Sequence, residues 1–218
     1  MPAQPTLTLY DYFRSSAAYR VRIALRLKGL SYDQVPIHLV RGGGEHLSED
    51  YRAINPQRRV PALAVGEDRT ILIQSVAILE WLEETFPKPS LLPADPFSRV
   101  RCRAVASIVG CDIHPLNNTS TIKYLRQTLG CDQPAIDAWY THWISEGFSA
   151  IETMIDPKPF AMGEAISLAD LFIVPQVYNA RRFSVPLDAF PKIVSVADAC
   201  AALPAFRDAA PENQPDAE

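Results

Sequence analysis

The stretch SSAAYRVRIAL, residues 15–25, decides the fold class that the sequence predicts. Ser15 and Ser16 are residue types that cap helix N-termini, and Gly29 is typical of a helix end. Between them, apolar residues recur at the spacing of one helix face, at Val21, Ala24, Leu25 and Leu27. Residues 6–10 alternate β-branched and aromatic side chains with their neighbours, which indicates a strand just before the helix.

The segments that follow extend this strand and helix into an α/β domain. A strand predicted at residues 32–39 completes a βαβ unit, whose strands are parallel because a helix connects them. The remaining predicted elements are a short helix ending at Asn55-Pro56, two strands of a hairpin at 61–65 and 70–73, and a helix from Ser75 to Pro87. We therefore predict a βαβ-α-ββα domain over residues 1–86.

A proline-rich segment, residues 87–96, marks a change in the chain. Four prolines in this segment are typical of a stiff connector, so we place a domain boundary there. Beyond it the apolar periodicity is helical, at residues 97–111, 134–155, 167–178, 191–201 and 204–210. We predict an all-α domain over 97–210, with a capping box at Ser167 and Asp170. Residues 211–218 are polar and contain two prolines, which predicts a disordered tail.

Composition and charge exclude several classes of protein. The 218 residues are 48% hydrophobic and 21% charged, which excludes a disordered or collagen-like chain. The net charge of −4 offers no general attraction to nucleic acid or to an anionic membrane. No apolar run approaches the ~20 residues of a membrane helix, and the first six residues have no secretory pattern. With four scattered cysteines interpreted as thiols, these features predict a cytoplasmic protein.

Three dipeptides stand at predicted strand or helix ends: Ser15-Ser16, Val60-Pro61 and Gln74-Ser75. Each has an ordinary structural interpretation, as a helix cap or as the start of a strand. A serine hydrolase is disfavoured because the sharp G-x-S-x-G turn is missing. Cys111 and His114 alone do not complete a zinc site, so we predict no metal. Open α/β sheets bind ligands beyond their strand ends, and the three dipeptides therefore suggest one ligand site.

The same residues carry a resemblance to a known family. Residues 15–25 resemble the S-S-C-x-W-R-V-R-I-A-L motif of zeta-class glutathione transferases, a family that includes maleylacetoacetate and maleylpyruvate isomerases. Ala17 and Tyr19 stand where that motif has cysteine and tryptophan. The resemblance continues at Asn55-Pro56, Val60-Pro61-Ala62-Leu63, Gln74-Ser75, Leu91-Leu92-Pro93 and Val174-Pro175-Gln176-Val177, and so covers nearly the whole chain.

The resemblance implies a thioredoxin-like N-terminal domain that binds glutathione and an all-helical C-terminal domain that covers the substrate. It places Ser15 and Ser16 near the glutathione thiol. It also implies glutathione contacts for eight further residues: His46, Val60, Gln74, Ser75, His114, Asn118, Thr119 and Ser120. A homodimer is implied as well.

Arginines are the remaining candidates, because the substrates that the resemblance implies are dicarboxylates and a guanidinium binds a carboxylate through two parallel hydrogen bonds. Arg14 and Arg182 match best, whereas Arg181 and the pair Arg58-Arg59 can equally be solvated surface residues. The predicted function is glutathione-dependent cis–trans isomerisation of maleylacetoacetate or maleylpyruvate to its fumaryl isomer, by reversible thiolate addition. Two alternatives stay open: a general glutathione transferase, and a non-catalytic binding module with this fold.

Overall fold

The computed structural model describes residues 4–218, which form two compact units. The first contains the described residues up to Pro89 together with Leu203–Glu218, and the second contains Ser90–Ala202. Residues 1–3, at the start of the predicted first domain, lie outside the described residues. None of the helices within 4–218 is both long and apolar enough to cross a membrane.

The first unit contains a mixed sheet, four-stranded over the described residues. Its strands are β1 (Leu7–Asp11), β2 (Asp33–Pro36), β3 (Ala62–Val65) and β4 (Thr70–Ile73), in the order β2-β1-β3-β4. β1 and β2 are parallel, while β3 is antiparallel to both β1 and β4. The predicted βαβ unit and the predicted hairpin are thus both confirmed.

Three helices connect these strands or follow them: α1 (Ser16–Leu27), α2 (Glu49–Ile54) and α3 (Ser75–Thr85). α1 begins where the serines predict, because the Ser15 side chain accepts a hydrogen bond from the Ala18 N–H at 3.2 Å. α2 ends before Asn55, whose extended backbone suits the residue that precedes a proline. The order of strands and helices confirms the thioredoxin-like fold class.

A buried ion pair joins α1 to β1. Arg22 and Asp11 are both fully buried, and one guanidinium nitrogen of Arg22 lies 2.7 and 2.8 Å from the two carboxylate oxygens. The same guanidinium also donates to the carbonyl oxygens of Phe13 and Ala209, each at 2.9 Å. Arg22 therefore holds the helix, the loop after β1 and a distant part of the chain together.

The second unit is helical, as predicted. Its helices are α4 (Pro96–Ser107), α5 (His114–Asn117), α6 (Thr119–Gln127), α7 (Gln133–Met154), α8 (Leu168–Arg182) and α9 (Pro191–Ala201). α6 was not predicted, because its sequence TSTIKYLRQ is mostly polar and has only Ile122, Tyr124 and Leu125 to mark its apolar face. A wider π-helical segment, Ile108–Ile113, continues α4 towards α5.

The start of α8 confirms the predicted capping box in its carboxylate half. Asp170 accepts hydrogen bonds from the backbone N–H and the hydroxyl of Ser167, at 2.8 and 2.9 Å. A third bond, from the Ala161 N–H at 2.8 Å, fixes the preceding loop. Burial raises the pKa of Asp170, and these hydrogen bonds oppose that shift. Asp170 therefore has a folding role.

The prediction for the end of the sequence is wrong in two respects. Residues 203–218 belong to the first unit rather than to the helical one, and 211–218 are ordered. They contain α10 (Pro204–Arg207) and a 3-10 turn, Pro211–Asn213. Phe206 is fully buried, and the buried Gln214 side chain donates to the Ala210 carbonyl at 2.8 Å. The periodicity of residues 204–210 predicted a helix there but not its place in the first unit, and the polar residues 211–218 show no apolar period.

Candidate functional site

The register of the sheet brings the predicted site residues of the first unit to one edge. Tyr10 of β1 lies beside Ala62 of β3, and Ala62 lies beside Ile73 of β4. The chain that leaves β1 towards Ser15, the chain that enters β3 through Val60, and the chain that leaves β4 into Gln74-Ser75 therefore meet there. Asp11 pairs with Pro36, so the segment that leads from β2 towards His46 starts at the same edge.

Ser15 is the half-buried residue at the N-terminus of α1. Its hydroxyl oxygen accepts from the Ala18 N–H, and its own N–H donates to the Tyr12 carbonyl at 2.9 Å. An accepting hydroxyl keeps its proton for a further acceptor, and a helix N-terminus favours negative charge. Ser16 is buried as the first residue of α1. The geometry therefore favours Ser15 over Ser16 as a hydrogen-bond donor to a thiolate.

Val60 is a buried residue just before β3, and its backbone groups are candidates for binding a ligand. The Val60-Pro61 peptide bond is cis, the state that a proline at a strand start allows. Asn55 and Tyr51 both donate to the Arg59 carbonyl, at 2.6 and 2.8 Å, and so fix the chain just before Val60. Within residues 4–218 the backbone N–H and C=O of Val60 have no backbone partner. They fit the main chain of an extended peptide such as glutathione.

Gln74 and Ser75 stand at the start of α3 with different roles. Gln74 is exposed and has φ 70° and ψ 117°, a strained backbone for a residue with a side chain. Its amide donates to the Gln57 side chain at 2.6 Å. Ser75 is buried, and its hydroxyl accepts from the buried Arg20 at 3.3 Å. Gln74 is thus exposed at the start of α3, with its carbonyl accepting from the Ile78 N–H at 2.9 Å, while the Ser75 side chain joins α3 to α1.

His46 lies in a short 3-10 turn, Glu45–Leu47, and is half-buried. The segment before it is closed by two bonds between His38 and Glu45: the His38 N–H donates to the Glu45 carboxylate at 2.7 Å, and the Glu45 N–H donates to the His38 carbonyl at 2.8 Å. Gly44 has φ +111°, and a Cβ there would lie 2.9 Å from the Leu39 carbonyl oxygen. The loop conformation therefore needs this glycine.

Arg14 is a cation held in place without a neutralising partner. Its guanidinium donates to the Tyr12 hydroxyl at 2.8 and 3.2 Å and lies 4.7 Å from the centre of the Phe13 ring. Among residues 4–218 no carboxylate lies within ion-pair distance of it. A guanidinium oriented in this way is suited to binding a carboxylate from solution.

In the second unit, two neighbouring arginines near the end of α8 differ in whether a carboxylate pairs with them. Arg181 pairs with Asp198 at 3.0 Å, which leaves it little capacity for a ligand. Arg182 has no carboxylate partner among the described residues and lies 4.8 Å from the Phe183 ring. Phe183 stacks on Tyr140 with the ring centres 3.9 Å apart. Burial raises the pKa of Tyr140 to about 12, with the positive charge of Arg182 opposing the shift.

The other predicted residues of the second unit lie at the junction of α5 and α6. His114 is the half-buried first residue of α5, while Thr119 and Ser120 are exposed at the start of α6. The side-chain oxygen of Asn118 caps α6 by accepting from the Ser120 and Thr121 N–H groups at 2.9 and 3.1 Å. Asn118 therefore has a folding role, and the predicted glutathione contacts of these residues stay predictions.

Sequence reasoning missed three residues that support the site. Arg20 and Arg22 were not assigned, although arginines among the apolar residues of this helix indicate that they have buried partners. Gln57, which accepts from Gln74, has no signal of its own in a polar turn. The two arginines of RVRIAL, residues 20–25, thus have buried partners on α3 and β1.

Comparison with known proteins agrees with this geometry. The family profile for the glutathione S-transferase N-terminal domain matches residues 9–90. A maleylacetoacetate isomerase of Pseudomonas aeruginosa is 53% identical over 96% of this chain and 98% of its own. A holo structure of a maleyl pyruvate isomerase, a bacterial glutathione S-transferase of the zeta class, has a TM-score of 0.91 and 50% identity and covers 97% of this chain and 100% of its own.

A third relative concerns the cofactor. A maleylacetoacetate isomerase from Anaeromyxobacter dehalogenans, solved with glutathione in its active site, has a TM-score of 0.88 and 42% identity and covers 99% of both chains. The first unit is thioredoxin-like, with a Val60 backbone unpaired among the described residues and a serine-capped helix, and a helical unit follows it in sequence. Together these features define the glutathione transferase class. Within that class the chain belongs to the zeta family, together with the maleylacetoacetate and maleylpyruvate isomerases.

Proposed function

We propose that this protein is a glutathione-dependent cis–trans isomerase that converts maleylacetoacetate or maleylpyruvate to the fumaryl isomer. The observation that carries the proposal is that Arg14 and Arg182 are each held against aromatic rings with no carboxylate partner among the described residues. Both named substrates are dicarboxylates, and in each the cis double bond lies between a carboxylate and a ketone. Guanidinium groups left open for carboxylates suit such a substrate better than a neutral electrophile.

The residues of the first unit fit glutathione as the cofactor. The Val60 N–H and C=O would hold the cysteinyl part of the tripeptide, and the backbone at Gln74 and Ser75 would hold its amino acid end. His46 would contact the tripeptide from the turn after β2. When bound, glutathione supplies a thiolate that adds reversibly to the cis double bond, which lowers its bond order and permits rotation.

Ser15 serves to keep the bound thiol ionised. Its hydroxyl would donate a hydrogen bond towards the sulfur, while its oxygen accepts from the Ala18 N–H. A hydrogen bond to the charged form lowers the pKa of a thiol, and the N-terminus of α1 acts in the same direction. Ser15 and α1 together would therefore supply the nucleophile near neutral pH.

Arg14 and Arg182 act on the keto acid. Each would hold a carboxylate through two parallel hydrogen bonds. A positive charge near the conjugated carbonyl also stabilises the negative charge that develops there when the double bond is attacked. This second effect is what separates an isomerase from a protein that only binds its ligand.

The function is tested by incubating the protein with each cis keto acid, with and without glutathione, and measuring the fumaryl product by chromatography. We expect product only when glutathione is present, and the ratio of the two kcat/KM values identifies the preferred substrate. Formation of a stable glutathione conjugate in place of the fumaryl acid would favour the general transferase. Binding of glutathione without any reaction would favour the non-catalytic module.

We also propose that the protein works as a homodimer in the cytoplasm. The family membership supports the first point, and sedimentation velocity measures it directly. The requirement for reduced glutathione supports the second, because the cytosol keeps glutathione in its thiol form.

A further inference from the structure

Residues 214–218, which we call the terminal strap, contact both loops that carry the glutathione site of the first unit. The chain before the strap is firmly anchored to α1. The Tyr19 hydroxyl donates to the Phe206 carbonyl at 3.1 Å, and Arg22 donates to the Ala209 carbonyl at 2.9 Å. The buried Gln214 side chain then donates to the Asp208 and Ala210 carbonyls at 3.0 and 2.8 Å. The strap thus starts from a fixed point.

The first loop that the strap contacts is the one that presents Ser15. The Phe13 N–H donates to the Asp216 carboxylate at 3.1 Å. Phe13 lies directly between Tyr12, whose carbonyl accepts from the Ser15 N–H, and Arg14. A carboxylate bound to this N–H therefore fixes the backbone from which both the thiol-binding serine and a carboxylate-binding arginine project.

The second loop is the one that leads to His46. The Glu218 carboxylate lies 2.6 Å from an Arg41 guanidinium nitrogen and 3.3 Å from Nε2 of His38. The hydrogen bond from Arg41 lowers the pKa of Glu218 below its ordinary value. The other ring nitrogen of His38 accepts from the Val40 and Arg41 N–H groups at 3.1 and 2.6 Å. Glu218 therefore holds the side chains that shape the turn before Gly44 and His46.

We propose that the terminal strap is a positioning element of the glutathione site: Asp216 sets the place of Ser15, and Glu218 sets the place of the loop that carries His46. This inference rests on the proposed function, because it assumes that glutathione binds at those loops. The Glu218 contacts are half exposed and add little to global stability. Their effect is therefore expected on the geometry of the loops, and so on glutathione, more than on unfolding.

Asp216 is tested with two substitutions and a matched control. Asp216→Ala removes the acceptor, Asp216→Asn keeps an oxygen that can accept from Phe13, and Glu212→Ala removes an exposed charge from the neighbouring turn. We expect Asp216→Ala to weaken glutathione binding roughly five- to twentyfold in calorimetry, to raise the pKa of the bound thiol, and to change Tm little. Asp216→Asn should recover most of the affinity, and Glu212→Ala should match the parent.

Glu218 is tested independently with Glu218→Ala, Arg41→Ala and the double variant. If the pair acts through the loop, each single variant raises the KM for glutathione and the double variant is no worse than either. Two results would overturn the positioning role. One is that the effects of Glu218→Ala and Arg41→Ala on the KM for glutathione are additive. The other is an Asp216→Ala protein whose glutathione affinity and thiol pKa match those of Glu212→Ala. A parent protein that binds no glutathione would instead overturn the proposed function, so the two failures are distinguishable.

Discussion

At the scale of single residues, two adjacent arginines show how a structure separates a ligand-binding side chain from a surface one. The sequence places Arg181 and Arg182 side by side in a basic pair and offers no basis for choosing on charge alone. The structure pairs Arg181 with Asp198 and leaves Arg182 against Phe183, without a carboxylate among residues 4–218. Because a carboxylate ligand must compete with any resident partner, Arg182 is the better candidate.

Replacing Arg182 by alanine should therefore affect the keto acid and spare glutathione. Loss of a charge-assisted hydrogen bond costs about 1.5–3 kcal/mol, so kcat/KM for the keto acid should fall by roughly 10- to 150-fold. Steady-state kinetics with either reactant varied measures both parameters. Arg181→Ala is the matched control and should stay close to the parent. An effect of Arg182→Ala confined to the KM for glutathione would contradict the assignment.

The Ser15 hydroxyl has two functions whose effects can be measured apart. Because Ser15 caps α1, Ser15→Ala should lower the free energy of unfolding by ~1 kcal/mol. Because the substitution also removes the donor to the thiolate, it should raise the pKa of the bound glutathione thiol by about 1–2 units and lower kcat. Thiolate absorbance of the saturated protein, followed against pH, reports the second effect.

Ser48→Ala is the control for capping alone, because Ser48 caps α2 at the same 3.2 Å distance from its N–H partner. It should lower stability without moving the thiol pKa. Some thiolate should remain in the Ser15→Ala protein, since the N-terminus of α1 persists. A thiol that titrates as in the parent, with kcat intact, would leave Ser15 a structural residue only.

At the scale of helices and strands, the sequence predicted what local signals specify. The serine cap, the helix period of residues 17–28 and the close hairpin strands all reappear in the structure, because each depends on neighbours in the chain. α6 escaped prediction since polar residues fill it, and α8 runs four residues beyond the predicted end at Tyr178, to Arg182. The edge of the sheet where the site residues meet was also predictable, because the βαβ unit and the hairpin determine which strand ends lie together.

Buried partners were beyond the sequence, because no local pattern says which residue a buried charge will meet. Arg22 illustrates this, with Asp11 and the Ala209 carbonyl as its partners. Arg22→Met should leave Asp11 buried and unpaired, at a cost of about 3–5 kcal/mol in the free energy of unfolding. Urea denaturation measures it. Arg26→Met, at an exposed position of the same helix, is the control and should change the free energy of unfolding by less than ~0.5 kcal/mol. An equal loss of stability in both variants would rule out the Arg22–Asp11 ion pair as the cause.

At the scale of the whole molecule, the chain forms two compact units, and candidate site residues lie in both. Residues 203–218 belong to the first unit. The sequence predicted the two fold classes and placed the boundary in the proline-rich segment where the units divide, at Pro89. It did not predict the return of residues 203–218, whose contacts are with residues distant in sequence. Side-chain and carbonyl contacts to α1 hold this return in place.

The central claim is that glutathione is used and regenerated while the double bond of a keto acid changes geometry. The most direct measurement supplies the cis keto acid in large molar excess over glutathione and follows both the fumaryl product and the free thiol to completion. The account predicts complete conversion with the thiol concentration unchanged, since each thiolate that adds is also released. Conversion that stops when one equivalent of glutathione is spent, with a conjugate as the product, would contradict it.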